Sequence, residues 1–193
     1  MFEIRRAELA DAQRLSHVMS AAFLADPVSR WLIPDPDERT MRQPAFFRVY
    51  LEWALMWGEV YTTTNLEGIA LWCLVDPSDQ LDGTEDDKAF RDALGPAYDR
   101  FVALRKASEA VHPMNAPHYF LPFLAVVPER QNQGLGRLLL RHKLHGTQYP
   151  TYLEASNIRS RDLYDRLQFK QLPSRIMLPD DGPFMYPMWR RPT

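Results

Sequence analysis

Hydrophobic positions change their period several times along the chain, and each change marks an element. An apolar–polar run at residues 2–5 predicts a strand, and helical spacing from Asp11, read as an N-cap, to Phe23 predicts an amphipathic helix. A loop is expected through Asp37. Gln43-Pro44 suits a cap and first helical residue for a helix running to Trp57. That helix is apolar on most sides, through Phe46, Phe47, Tyr50, Trp53 and Leu55, so it is buried or lines a pocket. β-rich runs at 59–64 and 69–75, joined by Asn65-Leu66-Glu67-Gly68, predict a hairpin. Residues 84–111 read as two helices broken at Gly95-Pro96, and 119–127 as a core strand. Pro122 falls inside that strand; it can donate no ladder hydrogen bond, so it belongs at an edge or a bulge. A polar glycine loop follows, then a helix faced by Leu135, Leu138, Leu139 and His142 at the i, i+3, i+4, i+7 positions. A strand at 151–155, a helix at 158–167 and strands at 171–178 and 183–189 close the chain.

The glycine loop is the segment that specifies chemistry. Residues 123–140 read FLAVVPERQNQGLGRLLL, with Gln131, Gly134 and Gly136 as Q-x-x-G-x-G between strand and helix. Glycines let backbone approach a ligand, and a helix start presents free N–H groups to phosphate. A kinase-type P-loop would need Lys and a hydroxyl after the last glycine, and neither is there. A dinucleotide fingerprint would place its third glycine where Leu139 stands and would allow almost nothing between strand and glycines, where this chain has residues 128–133.

The pattern Val126-x-Pro128-x-x-Gln131-x-x-Gly134-x-Gly136, with Leu139 following, resembles the acetyl-CoA loop of the GNAT superfamily of N-acetyltransferases. Residues 151–169, TYLEASNIRSRDLYDRLQF, resemble the next strand and helix of that family, and the opening Ile4-Arg5-Arg6-Ala7 with Asp11 fits its first strand and helix. Among subgroups the chain looks most like puromycin N-acetyltransferase, through Ala21-Ala22-Phe23, Asp26-Pro27, Leu71-Trp72, the Pro-rich stretch 112–119 and the interval from Glu154 to Tyr164.

The resemblance implies an α/β (α+β) fold: a mixed, mostly antiparallel sheet flanked by helices, with a splayed central strand pair admitting the pantetheine arm. It implies acetyl transfer from acetyl-CoA directly to the primary amine of a small molecule, antibiotic-like or amino-acid-like. Protein or peptide N-acetylation and non-catalytic acyl-CoA sensing remain open as alternatives. Backbone at Leu124, Ala125 and Val126 would pair with the pantetheine amides. Gln131, Asn132, Gln133, Gly134, Leu135, Gly136 and Arg137 would bind pyrophosphate, and Asn157 would lie near the pantetheine while also serving as an N-cap. Tyr164 would protonate the departing thiolate, since a phenol stays protonated at neutral pH; otherwise it packs against the sheet. Glu154 would be the general base, or it would bind Arg159 or local backbone N–H groups. His118 is a reserve base. The acceptor pocket is expected from residues 23–33, the aromatic helix and Trp72, with Asp26 and Glu52 able to recognise an ammonium. Gln168 departs from the glycine that the family favours at this helix end.

Composition narrows the field further. At 193 residues and 46% hydrophobic the chain suits one domain, 1–193. A net charge of −2 with scattered basic residues argues against nucleic acid. Cys73 is the single cysteine, and no apolar run suits a signal peptide or a membrane span, so a cytoplasmic monomer or homodimer is expected. Cys73 reads as inert core, and His142 and His145 lack a third ligand for zinc, so no metal is expected.

Overall fold

The computed structural model describes residues 2–78 and 87–192. The described residues form eight strands and seven α-helices: β1 (Ile4–Arg6), α1 (Ala12–Phe23), α2 (Pro27–Leu32), α3 (Pro36–Trp57), β2 (Glu59–Thr63), β3 (Gly68–Val75), α4 (Asp87–Leu94), α5 (Tyr98–Glu109), β4 (His118–Val126), α6 (Leu135–Leu144), β5 (Thr151–Ala155), α7 (Ile158–Asp165), β6 (Lys170–Gln171), β7 (Ile176–Met177) and β8 (Phe184–Arg190). The strands form one sheet in the order β1-β2-β3-β4-β5-β8-β6, with β7 also on β8. Every pairing is antiparallel except β4 with β5. This is the mixed, mostly antiparallel sheet flanked by helices that the motifs imply.

β3 shows how the sheet is covered. Ile69 and Leu71 enter a core with α1 to α5, while Ala70 and Trp72 enter a second core with α6 and α7. Successive side chains of a strand point to opposite faces, so a run apolar at nearly every position is a strand buried on both.

The pairing of β4 sets the site. Against β5 it is registered only at Tyr119↔Thr151, Phe120↔Tyr152 and Leu121↔Leu153, whereas against β3 it continues to Val126. From Pro122 onward the edge facing β5 has no ladder partner among the described residues. On the other side, β3 advances two residues from Leu71 to Cys73 while β4 advances three, from Phe120 to Phe123. Pro122 thus falls in a one-residue bulge where the two parallel strands part, as its missing N–H demands.

Three elements differ from the sequence expectation. α3 begins at Pro36, because Asp35 accepts hydrogen bonds from Asp37 N (3.0 Å) and Glu38 N (2.8 Å) and Pro36 holds the first helical φ. Pro44 therefore lies inside the helix. The expected loop 24–37 contains α2, capped by Asp26, whose carboxylate accepts from Val28 N at 2.9 Å. The strand expected at 171–178 is two short pieces, β6 and β7, separated by Pro173. The expected helix start at 84–86 lies outside the described residues. No helix among the described residues is long and apolar enough to cross a membrane.

Candidate active site

A cleft of about 2450 Å³ runs through the gap between β4 and β5. One arm is floored by Leu124, Ala125 and Val126 and closed by the glycine loop; the other is walled by α3, α5 and Glu154.

The loop is built to leave its backbone free. Gln131 turns its side chain inward, donating to Val126 O at 3.0 Å, and Gln133 donates to Glu129 O at 2.9 Å. Asn132 (φ 62°) and Gly134 (φ 83°) adopt the left-handed region, and Gly134 caps α6. A Cβ at Gly134 would meet nothing within 4 Å, so it is the left-handed backbone rather than crowding that favours glycine there. A Cβ at Gly136 would make ordinary contacts, 3.6 Å to Leu124 and 3.8 Å to Val126. The first N–H groups of α6 lack intrahelical acceptors and face this space. Arg130, Arg137, Arg159 and Arg166 line the same arm. Arg159 also donates to Asn132 Oδ1 at 2.5 Å, tying α7 to the loop. Arg130 is held by Glu67 at 2.8 Å, so backbone donors, a helix start and the guanidiniums of Arg137, Arg159 and Arg166 make the anion cradle, and the donor set fits the pyrophosphate of a coenzyme A thioester.

At the gap itself lie the two proton-handling candidates. Tyr164, on α7, is buried and lines the cleft; its ring packs on Phe169 at 5.8 Å. Burial, with the charge of Asp26 acting in the same direction, pushes its phenol above the usual range, so it is held in the protonated form. Glu154, at the end of β5, is half-buried. It accepts hydrogen bonds from Ser108 Oγ and from the Tyr152 hydroxyl, each at 2.9 Å. Neither Arg159 nor local backbone holds it. Burial raises its pKa, and the two hydroxyls offset only part of that shift because they carry no positive charge.

Asn157 fulfils its capping role, accepting from Ser160 N at 2.9 Å. Its amide also donates to Asp26 Oδ2 at 3.1 Å, and Ser156 Oγ donates to the same oxygen at 2.5 Å. Asp26 is therefore occupied on both oxygens and ties the loop before α2 to the start of α7, so it is not a free partner for an ammonium. Glu52 is likewise held, by Arg48 at 2.6 Å.

The acceptor wall is partly as expected. Tyr50, Trp53 and Trp57 of α3 line it, Trp57 being 71% exposed. Tyr50 sits among Phe90 (4.8 Å), Phe123 (4.9 Å) and Phe46 (5.3 Å). Trp72 does not contribute; at 0% exposure it belongs to the core under α6, since its position in β3 points to the other face. His118 is fully buried, and the histidine on the cleft wall is His112. Sequence reasoning missed the polar stripe Arg105, Ser108 and His112, which α5 and the turn after it present to the cleft. The i, i+3, i+7 spacing was its one available signal.

No protein-family model matches the chain. Solved structures do. A protein from Corynebacterium glutamicum ATCC 13032, described as histone acetyltransferase HPA2 and related acetyltransferase, is 28% identical with a TM-score of 0.76, over 100% of this chain and 97% of that one. Drosophila melanogaster polyamine N-acetyltransferase, which forms N-acetylagmatine, is 13% identical with a TM-score of 0.67, over 99% and 100%. Arylalkylamine N-acetyltransferase 2 from Aedes aegypti is 10% identical with a TM-score of 0.65, over 100% and 99%. The fold is that of the GNAT acetyltransferases, and it places the chain among acyltransferase enzymes.

Proposed function

We propose that this enzyme transfers the acetyl group of acetyl-CoA to the primary amine of a small molecule with an aromatic or apolar body. The observation that carries the reading is the parting of β4 from β5 at Pro122, which joins an anion cradle to an aromatic pocket through one gap bordered by Glu154 and Tyr164. The pyrophosphate rests on backbone N–H groups between Gln131 and Arg137, and the unpaired edge of Leu124, Ala125 and Val126 holds the pantetheine amides.

Glu154 takes a proton from the incoming ammonium, and its raised pKa makes it a better acceptor than an ordinary surface carboxylate. The free amine attacks the thioester carbonyl, the cationic nitrogen of the tetrahedral adduct gives up its second proton, the C–S bond breaks as the carbonyl re-forms, and Tyr164 protonates the thiolate and is itself reprotonated from water. No covalent acyl-enzyme is needed. Cys73, buried in β3 with its thiol pKa raised by burial, is unsuited to be one.

The puromycin-like residues Ala21-Ala22-Phe23, Asp26-Pro27 and Leu71-Trp72, together with the edge-to-face aromatic wall around Tyr50, make an aminonucleoside the first acceptor to test. The test is acetyl-CoA-dependent thiol release with puromycin, 2-phenylethylamine, agmatine and peptides with free N-termini. Turnover of an aromatic amine is expected to exceed that of every peptide in kcat/KM. Peptides in the lead would overturn the substrate class, and thiol release with none of these amines would overturn the reaction.

A further inference from the structure

The acid and base of this reaction leave a pair of imidazoles unused. His112 Nε2 lies 2.9 Å from His118 Nε2, and His118 Nδ1 lies 2.9 Å from the carbonyl oxygen of Ala116. A carbonyl only accepts, so His118 carries its proton on Nδ1 and offers a lone pair at Nε2, and His112 must donate from its own Nε2. The lone pair of His112 is thereby fixed on Nδ1, which has no partner among the described residues. His118 is fully buried, whereas His112 lines the cleft.

His112 borders the part of the cleft that holds Glu154. Its ring packs against that of Tyr152 at 4.5 Å, and the Tyr152 hydroxyl donates to Glu154. Its backbone N–H donates to Ser108 O at 3.0 Å, placing it one turn beyond the serine that holds the other carboxylate oxygen. The titratable groups packed on the imidazole are His118 from β4 and Tyr152 from β5; Glu154 of β5 and Arg105 and Glu109 of α5 line the same cleft.

Acetylating an ammonium removes two protons from nitrogen, one before it can attack and one from the cationic nitrogen of the tetrahedral adduct. A single carboxylate holds only the first. We propose that His112 Nδ1 accepts the second: the N–H bond of the adduct breaks, its electron pair stays on nitrogen, and the proton moves to Nδ1 as Tyr164 protonates the departing thiolate. His118 is a positioning residue that keeps His112 in the receptive tautomer. The inference rests on the acetyltransferase reading. Burial, with the neighbouring His118 a lesser cause in the same direction, lowers the His112 pKa to about 4, so the imidazole is neutral and receptive at physiological pH. The adduct nitrogen is a stronger acid than the free ammonium, so a weak base suffices for it.

His112→Gln keeps an amide donor toward His118 and removes the Nδ1 lone pair. With 2-phenylethylamine as acceptor, kcat should fall roughly 10- to 100-fold, with acetyl-CoA KM and Tm unchanged. The deficit should persist as pH is raised through the pKa of the amine, whereas that of Glu154→Gln should shrink, because free amine no longer needs the first deprotonation. Wild-type kcat, or a deficit that fades at high pH, would overturn the assignment. Long-range proton–nitrogen NMR of the wild type reads the tautomers without turnover. Nδ1–H on His118 and Nε2–H on His112 are expected, with the His112 Nδ1 resonance moving on titration with 2-phenylethylamine. Any other pair of tautomers, or an unmoved Nδ1, overturns the proposal even where amines are acetylated; a wild type that acetylates no amine defeats the acetyltransferase reading separately.

Discussion

At the scale of single residues, Tyr164 and Glu154 make opposite demands on stability. No described hydrogen bond holds the Tyr164 hydroxyl, so Tyr164→Phe should leave Tm unchanged while kcat falls by about 10²- to 10⁴-fold; near wild-type turnover, measured where chemistry limits the rate, would reduce Tyr164 to packing. Glu154 has a folded-state pKa raised by burial, so between the ordinary carboxylate pKa and that higher value the folded state binds more protons than the unfolded chain. Its stabilising contribution is present at low pH and is lost as pH rises through the folded pKa. Glu154→Gln should then raise Tm at neutral pH and lower kcat by about 10²- to 10⁴-fold, and calorimetry across pH 4 to 8 with a parallel rate profile checks both. Gln168 holds φ 67° at the end of α7, a conformation that disfavours a side chain by about 1–2 kcal/mol. Gln168→Gly should raise Tm without altering kcat, read by thermal melts. This departure was legible in the sequence because a helix end wanting a left-handed residue announces itself by a missing glycine. The partners of Glu154 were not, since Ser108 is 46 positions away and meets it only once α5 lies across the sheet.

At the scale of elements, the strand–loop–helix unit was readable because its chemistry is local. The left-handed turn, the cap and the free N–H groups all lie between Val126 and Arg137. α3 was readable in composition and misplaced in its start, because two prolines compete for the first turn and the Asp35 cap decides for Pro36. The wall formed by α5 was illegible, because its polar stripe gains meaning only opposite β5. Tyr50, Trp53 and Trp57 of α3 line the acceptor arm, so Trp53→Ala should raise acceptor KM severalfold and leave the KM for acetyl-CoA nearly unchanged. A large drop in Tm with acceptor KM unmoved would make Trp53 a core residue.

At the scale of the whole molecule, the sheet order placed each motif: β4 and β5, neighbours in space and parallel, bring the loop after one strand beside the helix after the other. Hydrophobic runs predicted the strands but could not give their order, and only Pro122 hinted where two of them part. If acetyl-CoA binds in that gap as proposed, it should stabilise the fold by mass action, by about 2.7 kcal/mol at a hundredfold excess over Kd, and a ligand-dependent rise in Tm measures it. Gly134→Ala should shrink that rise, since a side chain strains the left-handed φ of 83° that sets the loop's backbone N–H groups. The open gap has another side. Two strand edges that part at Leu121 and Leu153 expose unpaired backbone groups, the kind of template on which a second chain can nucleate β-aggregation. Pro122 blunts one of these edges by offering no donor, and a bound thioester would cover the rest, so the loaded enzyme should outlast the empty one during storage and against proteolysis.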